Sequence, residues 1–383
     1  MDVLRIYIVF NPDHDVTPLW CEALSKAFDG IGMQREGLRF SVPVHRRSAT
    51  WDGPQDGLLD ANPRCIDFGR AEWNVVVVLQ DVDMMDHRER WGPYLANVMS
   101  RYAGNEAAST VIPIAFGDAG AAHFRELHEM PKHVLSGAPN EEGTRQLFVS
   151  LLNAILVMLD PEGNRHAAGA GHAVFISHAK RDGLDAAEKI ARQLRDVMES
   201  LGPQCFFDKA SLIPGDEYPK RFEESIGRAS LLALVTDTYH ARPWCRWEML
   251  CAKELGRPVV VADLSRGRIE RSFPYIGNVP TIRLNDAPES LSNESVEVLI
   301  QALLSESLRI QLWRRLAGRI AQEDDSLLTR PPELSDLALI AASLPGRSRR
   351  VLYPDPPLST EEIQLLSRAF PFIDLRTLSQ AIA

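Results

Sequence analysis

The stretch ARPWCRWEML, residues 241–250, places Trp244, Cys245, Trp247 and Glu248 within five positions. It follows LLALVTDTY (231–239), an apolar run that reads as a buried strand and its exit loop. One acid on the first turns of a helix just beyond a strand has two readings. Aromatics fill gaps and glutamate is a good helix former, so packing accounts for it. A ligand pocket at the carboxyl end of a parallel sheet, holding one carboxylate, accounts for it as well. Trp244 precedes Glu248 by four residues and shares its helical face, so it is a candidate for stacking on a planar ring. Trp247 reads as core, and Cys245 as a small buried residue rather than a nucleophile. Asp81, Asp83, Asp86 and His87 in DVDMMDH resemble a metal cluster, but acids after a strand are commonly loop and cap residues. RGRIERS (266–272) is a short basic stretch that reads as a solvated loop.

The elements around Glu248 alternate. AVFIS (173–177), QCFFD (204–208), LLALVT (231–236) and RPVVVADL (257–264) are strand-like. Between the first two, Ala187, Ile190, Ala191, Leu194, Val197, Met198 and Leu201 follow helical spacing and Gly202 is a natural stop. PKRFEESIGRA reads as a helix burying Phe222 and Ile226, and a long helix from about residue 294 to 320 closes the series after TIRL. Apolar strands alternating with helices predict a parallel sheet covered on both faces. Residues 1–160 repeat the order. RIYIVFNPDHD parallels HAVFISHAKRD, with Asp15 opposite Asp182, and residues 74–99 parallel 230–255. That second pairing sets Asp81 opposite Asp237, Trp91 opposite Trp247 and Gly92 opposite Glu248. The expected organisation is therefore an α/β domain over 1–160, a Gly- and Ala-rich linker over 161–171, a second α/β domain over 172–325, and a C-terminal docking tail over 326–383. The tail carries a strand-like RVLYP and a helix opened by Ser359 and Glu362 at capping-box spacing.

The chain's 383 residues exceed one ordinary core, and 45% apolar with 25% charged residues is the balance of a globular protein. A formal net charge of -10 argues against a protein whose main task is coating nucleic acid. Five cysteines without a C-x-x-C pair argue against a disulfide framework or structural zinc and fit a reducing, cytoplasmic setting. The N-terminus reads as a strand rather than a signal peptide, and no apolar run is long enough for a membrane span.

AVFISHAKRD, FFDKASLIPGDEY, LLALVTDTYHARPWCRWE and RPVVVADL, in this order over residues 172–310, resemble a TIR (Toll/interleukin-1 receptor) domain. They match its first strand, its BB loop, its third strand with the W-x-x-x-E helix, and its fourth strand. The resemblance implies a flavodoxin-like parallel sheet flanked by helices, preceded here by a second TIR-like α/β domain that lacks the acid. Some members are scaffolds that assemble through the BB loop and do no chemistry. Others, many of them bacterial, cleave NAD+ at the nicotinamide–ribose bond, and a glutamate on the helix after the third strand marks them. Glu248 occupies that position.

The resemblance thus implies an NAD+ glycohydrolase giving nicotinamide and ADP-ribose, or a cyclic ADP-ribose. NAD+ is the substrate and no cofactor is called for. Depletion of NAD+ in bacterial antiviral defence by abortive infection is the implied role. Substrate contacts are implied for Ser177 and His178 at the first strand, Lys180 after it, Asp208, Lys209 and Tyr218 around the BB loop, and Trp244. His178 stands where an aromatic tyrosine or phenylalanine is usual, a departure on the nicotinamide side. Expected partners are NAD+, further copies through the TIR domains, and an activating protein or nucleotide signal, with no membrane. The alternative is a non-enzymatic TIR signalling scaffold. One acid suffices for the chemistry because nicotinamide is cationic in NAD+ and leaves neutral, so no proton donor is needed for the leaving group. What remains is stabilising an oxocarbenium-like ribosyl group, which a fixed carboxylate does electrostatically. The expectation is a carboxylate exposed in a cleft and contributing little to packing.

Overall fold

The computed structural model describes residues 2–31, 42–48, 63–117, 124–127, 133–160, 171–179, 186–207, 225–267, 273–286, 290–343 and 347–382. These residues divide into two compact units, one up to Leu151 and one from Leu152 onward. Residues 161–170 of the expected linker lie outside the described residues.

The first unit alternates strands and helices, β1 (Asp2–Val9), α1 (Thr17–Asp29), β2 (Val44–Arg47), β3 (Ala71–Gln80), α2 (Val82–Asp86), α3 (Arg88–Tyr102), β4 (Ser109–Phe116) and β5 (His133–Leu135), and α4 (Glu141–Leu159) runs from it across the division at Leu151. Its strands pair in parallel in the order β2-β1-β3-β4-β5. The run Val75–Leu79 is buried throughout, as a central strand covered on both faces must be. Neither β2 nor β5 was legible as a strand; each is short and polar or half-exposed, and each lies at a sheet edge.

The second unit contains β6 (Ala173–His178), α5 (Ala186–Leu201), β7 (Gln204–Phe207), β8 (Ser230–Val235), α6 (Pro243–Glu254), β9 (Val259–Asp263), β10 (Thr281–Arg283) and α7 (Asn293–Ile320). The order is β7-β6-β8-β9-β10, again all parallel. Counted along each domain, both sheets run 2-1-3-4-5, the flavodoxin-like order. The chain leaves β6 in one direction and returns to β8 on its other side, so the switch point lies between them. Gly202 ends α5 with φ +113, and Ser292 caps α7 by accepting the Ser295 N–H at 3.1 Å.

The C-terminal residues form a small parallel sheet of their own, β11 (Ser326–Leu327), β12 (Arg349–Tyr353) and β13 (Ile373–Thr377), in the order β11-β12-β13. Helices α8 (Leu334–Ser343), α9 (Thr360–Ala369) and α10 (Leu378–Ile382) alternate with it. Ser359 caps α9 through the Glu362 N–H at 3.1 Å, as its spacing predicts. The segment is more than an appended strand and helix: it is a βαβαβα module.

Candidate active site

Helix α6 has a proline in its first turn and buries Cys245, Glu248, Met249 and Ala252. The three apolar members face Phe175 of β6, Leu231, Ala233 and Val235 of β8, and Tyr239. Spacing of 3.6 residues then fixes Glu248 on the sheet-facing stripe. The residue alternation of β6 turns Ser177 to the same face as Phe175.

These constraints converge on a buried chain of three oxygens. Ser177 Oγ donates a short hydrogen bond to the Glu248 carboxylate. Ser177 Oγ lies 2.7 Å from the Tyr239 hydroxyl. With the serine proton engaged by the carboxylate, the tyrosine hydroxyl is the donor to serine. Tyr239 sits in the 3-10 turn just after β8. Burial pushes its phenol well above the ordinary value, and the nearby Cys245 and Glu248 push it further, so it stays a donor. Glu248 is only 4% exposed. The expectation of an exposed carboxylate is therefore corrected: it lies beneath the surface, held from the strand side. A buried carboxylate needs such donors to offset its lost hydration.

Cys245 is buried, and its thiol lies 3.4 Å from the His178 carbonyl oxygen, to which it donates. Burial first, and the Glu248 charge second, push its pKa up to about 12. A thiol in that state is packing, not a nucleophile.

A family model described as TIR domain matches residues 174–300. Residues 174–300 are a TIR domain. No curated protein matches the chain. The match begins in β6 and ends within α7, so it spans the whole Ser177–Tyr239–Glu248 arrangement and leaves the first unit and the C-terminal module outside.

Within the TIR domain the structure brings together Ser177 and Glu248 and adds Tyr239, which sequence reasoning missed. A tyrosine in an exit loop carries no local signal; only the fold sets it beside a residue 62 positions earlier. His178 is buried at the end of β6, next to Ser177. Trp244 is 53% exposed and stands edge-to-face with Trp247, ring centroids 5.7 Å apart. Trp247 is half-buried and packs against the edge of the α6 core, less deeply than its reading as a core residue expects. Lys180, Asp208, Lys209 and Tyr218 lie outside the described residues. A separate cleft of about 510 Å³ opens at the carboxyl ends of β8, β9 and β10. It is lined by Thr236, Asp237, Ser265, Arg266, Asn285 and Asp286 among others, includes α5, and contains no residue of α6.

Among its described residues the first unit lacks this arrangement. Gly92 is the residue of α3 paired in sequence with Glu248, and a Cβ added there would stand 3.2 Å from Glu126 Oε1. Trp91 is wholly buried against Tyr7, Val9, Val76 and Val78, so it is core. Asp81 caps α2, accepting the Met84 N–H at 2.7 Å and the Thr17 hydroxyl at 3.3 Å. The Met84 bond is the cap role, and together with the Thr17 bond it engages the carboxylate that heads the DVDMMDH cluster.

Proposed function

We propose that the TIR domain cleaves NAD+ between nicotinamide and ribose, with Glu248 as the catalytic carboxylate. The observation that carries the reading is the buried Tyr239–Ser177–Glu248 chain near the carboxyl end of β6, beside the switch point of the sheet. Open α/β sheets bind ligands in that region. A carboxylate fixed by a serine is preorganised: it stabilises positive charge developing on the ribosyl carbon without reorganising during reaction. Nicotinamide leaves neutral, so no second acid is required. Once the ribosyl cation has formed, the same carboxylate orients the acceptor, giving ADP-ribose with water and a cyclic product with an atom of the substrate itself.

In this reading Trp244, His178 and the BB-loop residues supply contacts to the dinucleotide. The N-terminal domain, with Gly92 in place of the acid, acts as a regulatory or binding lobe. Copies of the chain assemble through their TIR domains, so specific activity rises more than linearly with concentration, and substitution of Pro214 and Gly215 in the BB loop weakens that rise. NAD+ depletion in a bacterial antiviral response is the biological setting this activity suits.

The test is incubation of the purified full-length chain with NAD+ over a range of protein concentrations, with products resolved by chromatography. Release of nicotinamide with ADP-ribose or its cyclic form is expected. NAD+ left intact at every concentration, including those at which the chain is assembled, contradicts the proposal and leaves the non-enzymatic scaffold.

A further inference from the structure

The C-terminal end of α6 is held by residues beyond the matched TIR domain. Lys253 lies five residues after Glu248, about 7.5 Å further along the helix axis. Its Nζ contacts Glu333 Oε1 at 2.5 Å, and the two side chains are 1% and 6% exposed. The same ammonium donates to the Tyr275 carbonyl. Glu333 is fixed in turn: its N–H donates to Asp336 at 2.8 Å, and Asp336 takes the Arg330 guanidinium through two bonds of 2.7 and 2.9 Å. One residue past the α6 cap, the Gly256 carbonyl accepts from Thr329 Oγ1 at 3.0 Å and from Arg314 Nη2 at 2.7 Å. Residues 329–336 therefore clamp the last turn of the helix that carries Glu248.

Burial disfavours the charged form of Lys253 and pushes its pKa down, while the Glu333 hydrogen bond and charge oppose that shift. A lysine buried to this degree is retained at a cost in hydration, which the Glu333 carboxylate and the Tyr275 carbonyl offset. Among the described residues the module buries Leu337, Val351 and Ile373 on one side, with Leu366 and Phe370 among the half-buried residues packed against them, and it buries Leu352, Tyr353 and Leu378 as well. The polar clamp is one attachment of this module, beside the packing of α10 on α7.

We propose that Lys253 and Glu333 are positioning residues: the C-terminal module, seated through this buried pair, fixes helix α6 and with it the Glu248 carboxylate against Ser177. The catalytic half of this inference rests on the NAD+ reading above; the anchoring half does not. A rigid helix of twelve residues transmits a loosened last turn to a carboxylate one and a half turns away. Detachment of the module is then a route by which a partner of the C-terminal segment lowers turnover without touching the site.

The experiment uses the full-length chain, the single variant Glu333→Gln, and the double variant Lys253→Met with Glu333→Leu. The single variant leaves a buried ammonium without its counter-charge; the double variant replaces the pair by apolar side chains that pack in its place. Amide hydrogen exchange of peptides covering residues 243–254 is read beside peptides from β6 and β9, whose protection reports an intact domain. In Glu333→Gln, exchange in α6 is expected to quicken about tenfold with the strands unchanged, kcat for nicotinamide release to fall about tenfold, and KM to stay within about twofold, because the lost order acts on the transition-state contact. The double variant is expected to restore both readouts toward the wild-type values, which a specific need for the charges would not allow. Exchange in α6 that matches wild type in the single variant overturns the anchor. Faster exchange with unchanged kcat overturns the positioning role. If the wild-type chain releases no nicotinamide, the NAD+ reading fails by itself, and the exchange comparison still decides whether the module holds α6.

Discussion

Replacing Ser177 by alanine removes one oxygen from the middle of the buried chain that joins Tyr239 to Glu248. Nothing else in the side chain changes, and β6 keeps its pairing, because a strand position tolerates alanine. The Glu248 carboxylate loses the donor that fixes it from the strand side. Tyr239 keeps a second acceptor, the Cys245 carbonyl oxygen at 3.4 Å, so the phenol is left weakly bonded rather than unsatisfied. Hydrogen bonds to charged groups contribute about 1.5–3 kcal/mol. At about 1.4 kcal/mol per decade of rate, that range corresponds to a roughly ten- to hundredfold fall in kcat. KM should change less than about threefold, since the lost bond orients the carboxylate and does not touch the substrate. Tyr239→Phe removes a bond between neutral groups, about 0.5–1.5 kcal/mol, and should cost roughly two- to tenfold by the same conversion. The assay is initial-rate nicotinamide release, with urea unfolding alongside to show that both variants are folded. A folded Ser177→Ala protein with kcat within twofold of wild type would refute the claim that this serine organises the carboxylate.

Two further outcomes test the frame that holds the site. His172 is buried, its Nε2 lies 2.9 Å from Ser230 Oγ, and burial first and Arg257 second push its pKa down to about 4. Its contribution is whole above the unfolded value of about 6.5 and is lost as pH falls toward 4, by up to about 3 kcal/mol; His172→Gln should flatten the fall in urea-derived stability between pH 7 and 4.5, and an unaltered slope counts against it. Gly202 has φ +113, and a Cβ there would meet Asn153 Nδ2 at 2.5 Å. Gly202→Ala should therefore destabilise the fold by about 1–3 kcal/mol in urea unfolding, and an unchanged midpoint would show that the loop relaxes freely.

Much of the fold was legible because its signals are local. Val75–Val78 and Leu231–Val235 are continuous apolar runs, which only a strand covered on both faces explains. The α5 stripe and the Gly202 stop gave that helix its face and its end. The order of elements in the two halves, read as a repeat, is matched by the same 2-1-3-4-5 strand order in both sheets. The site was legible only as far as Glu248 and Ser177 as types at given positions. What joins them is long-range: Ser177 and Glu248 are 71 residues apart, and Lys253 and Glu333 are 80. No periodicity carries such a pairing. Burial of Glu248 was misjudged for a related reason. The helix position shared with Trp244 suggested one exposed face, yet Trp244 stands at the open start of α6 and Glu248 lies a turn deeper, over β6. The module after residue 325 was read too simply because β11 is two residues long and the burial pattern of β13 shows only its ends covered.

The central claim is that the buried Glu248 carboxylate carries out the cleavage, and its most direct test is Glu248→Gln in the full-length chain. Because the residue is buried and bonded to Ser177, truncation to alanine would leave a cavity and an unpaired hydroxyl. Glutamine keeps the volume and an acceptor while removing the charge. Nicotinamide release from NAD+ is measured for wild type and variant at equal concentration and equal state of assembly. The account predicts that wild type releases nicotinamide and that the folded variant loses at least about a hundredfold in kcat, the scale of one preorganised electrostatic contact. Turnover by the folded glutamine variant within a few-fold of wild type would contradict it.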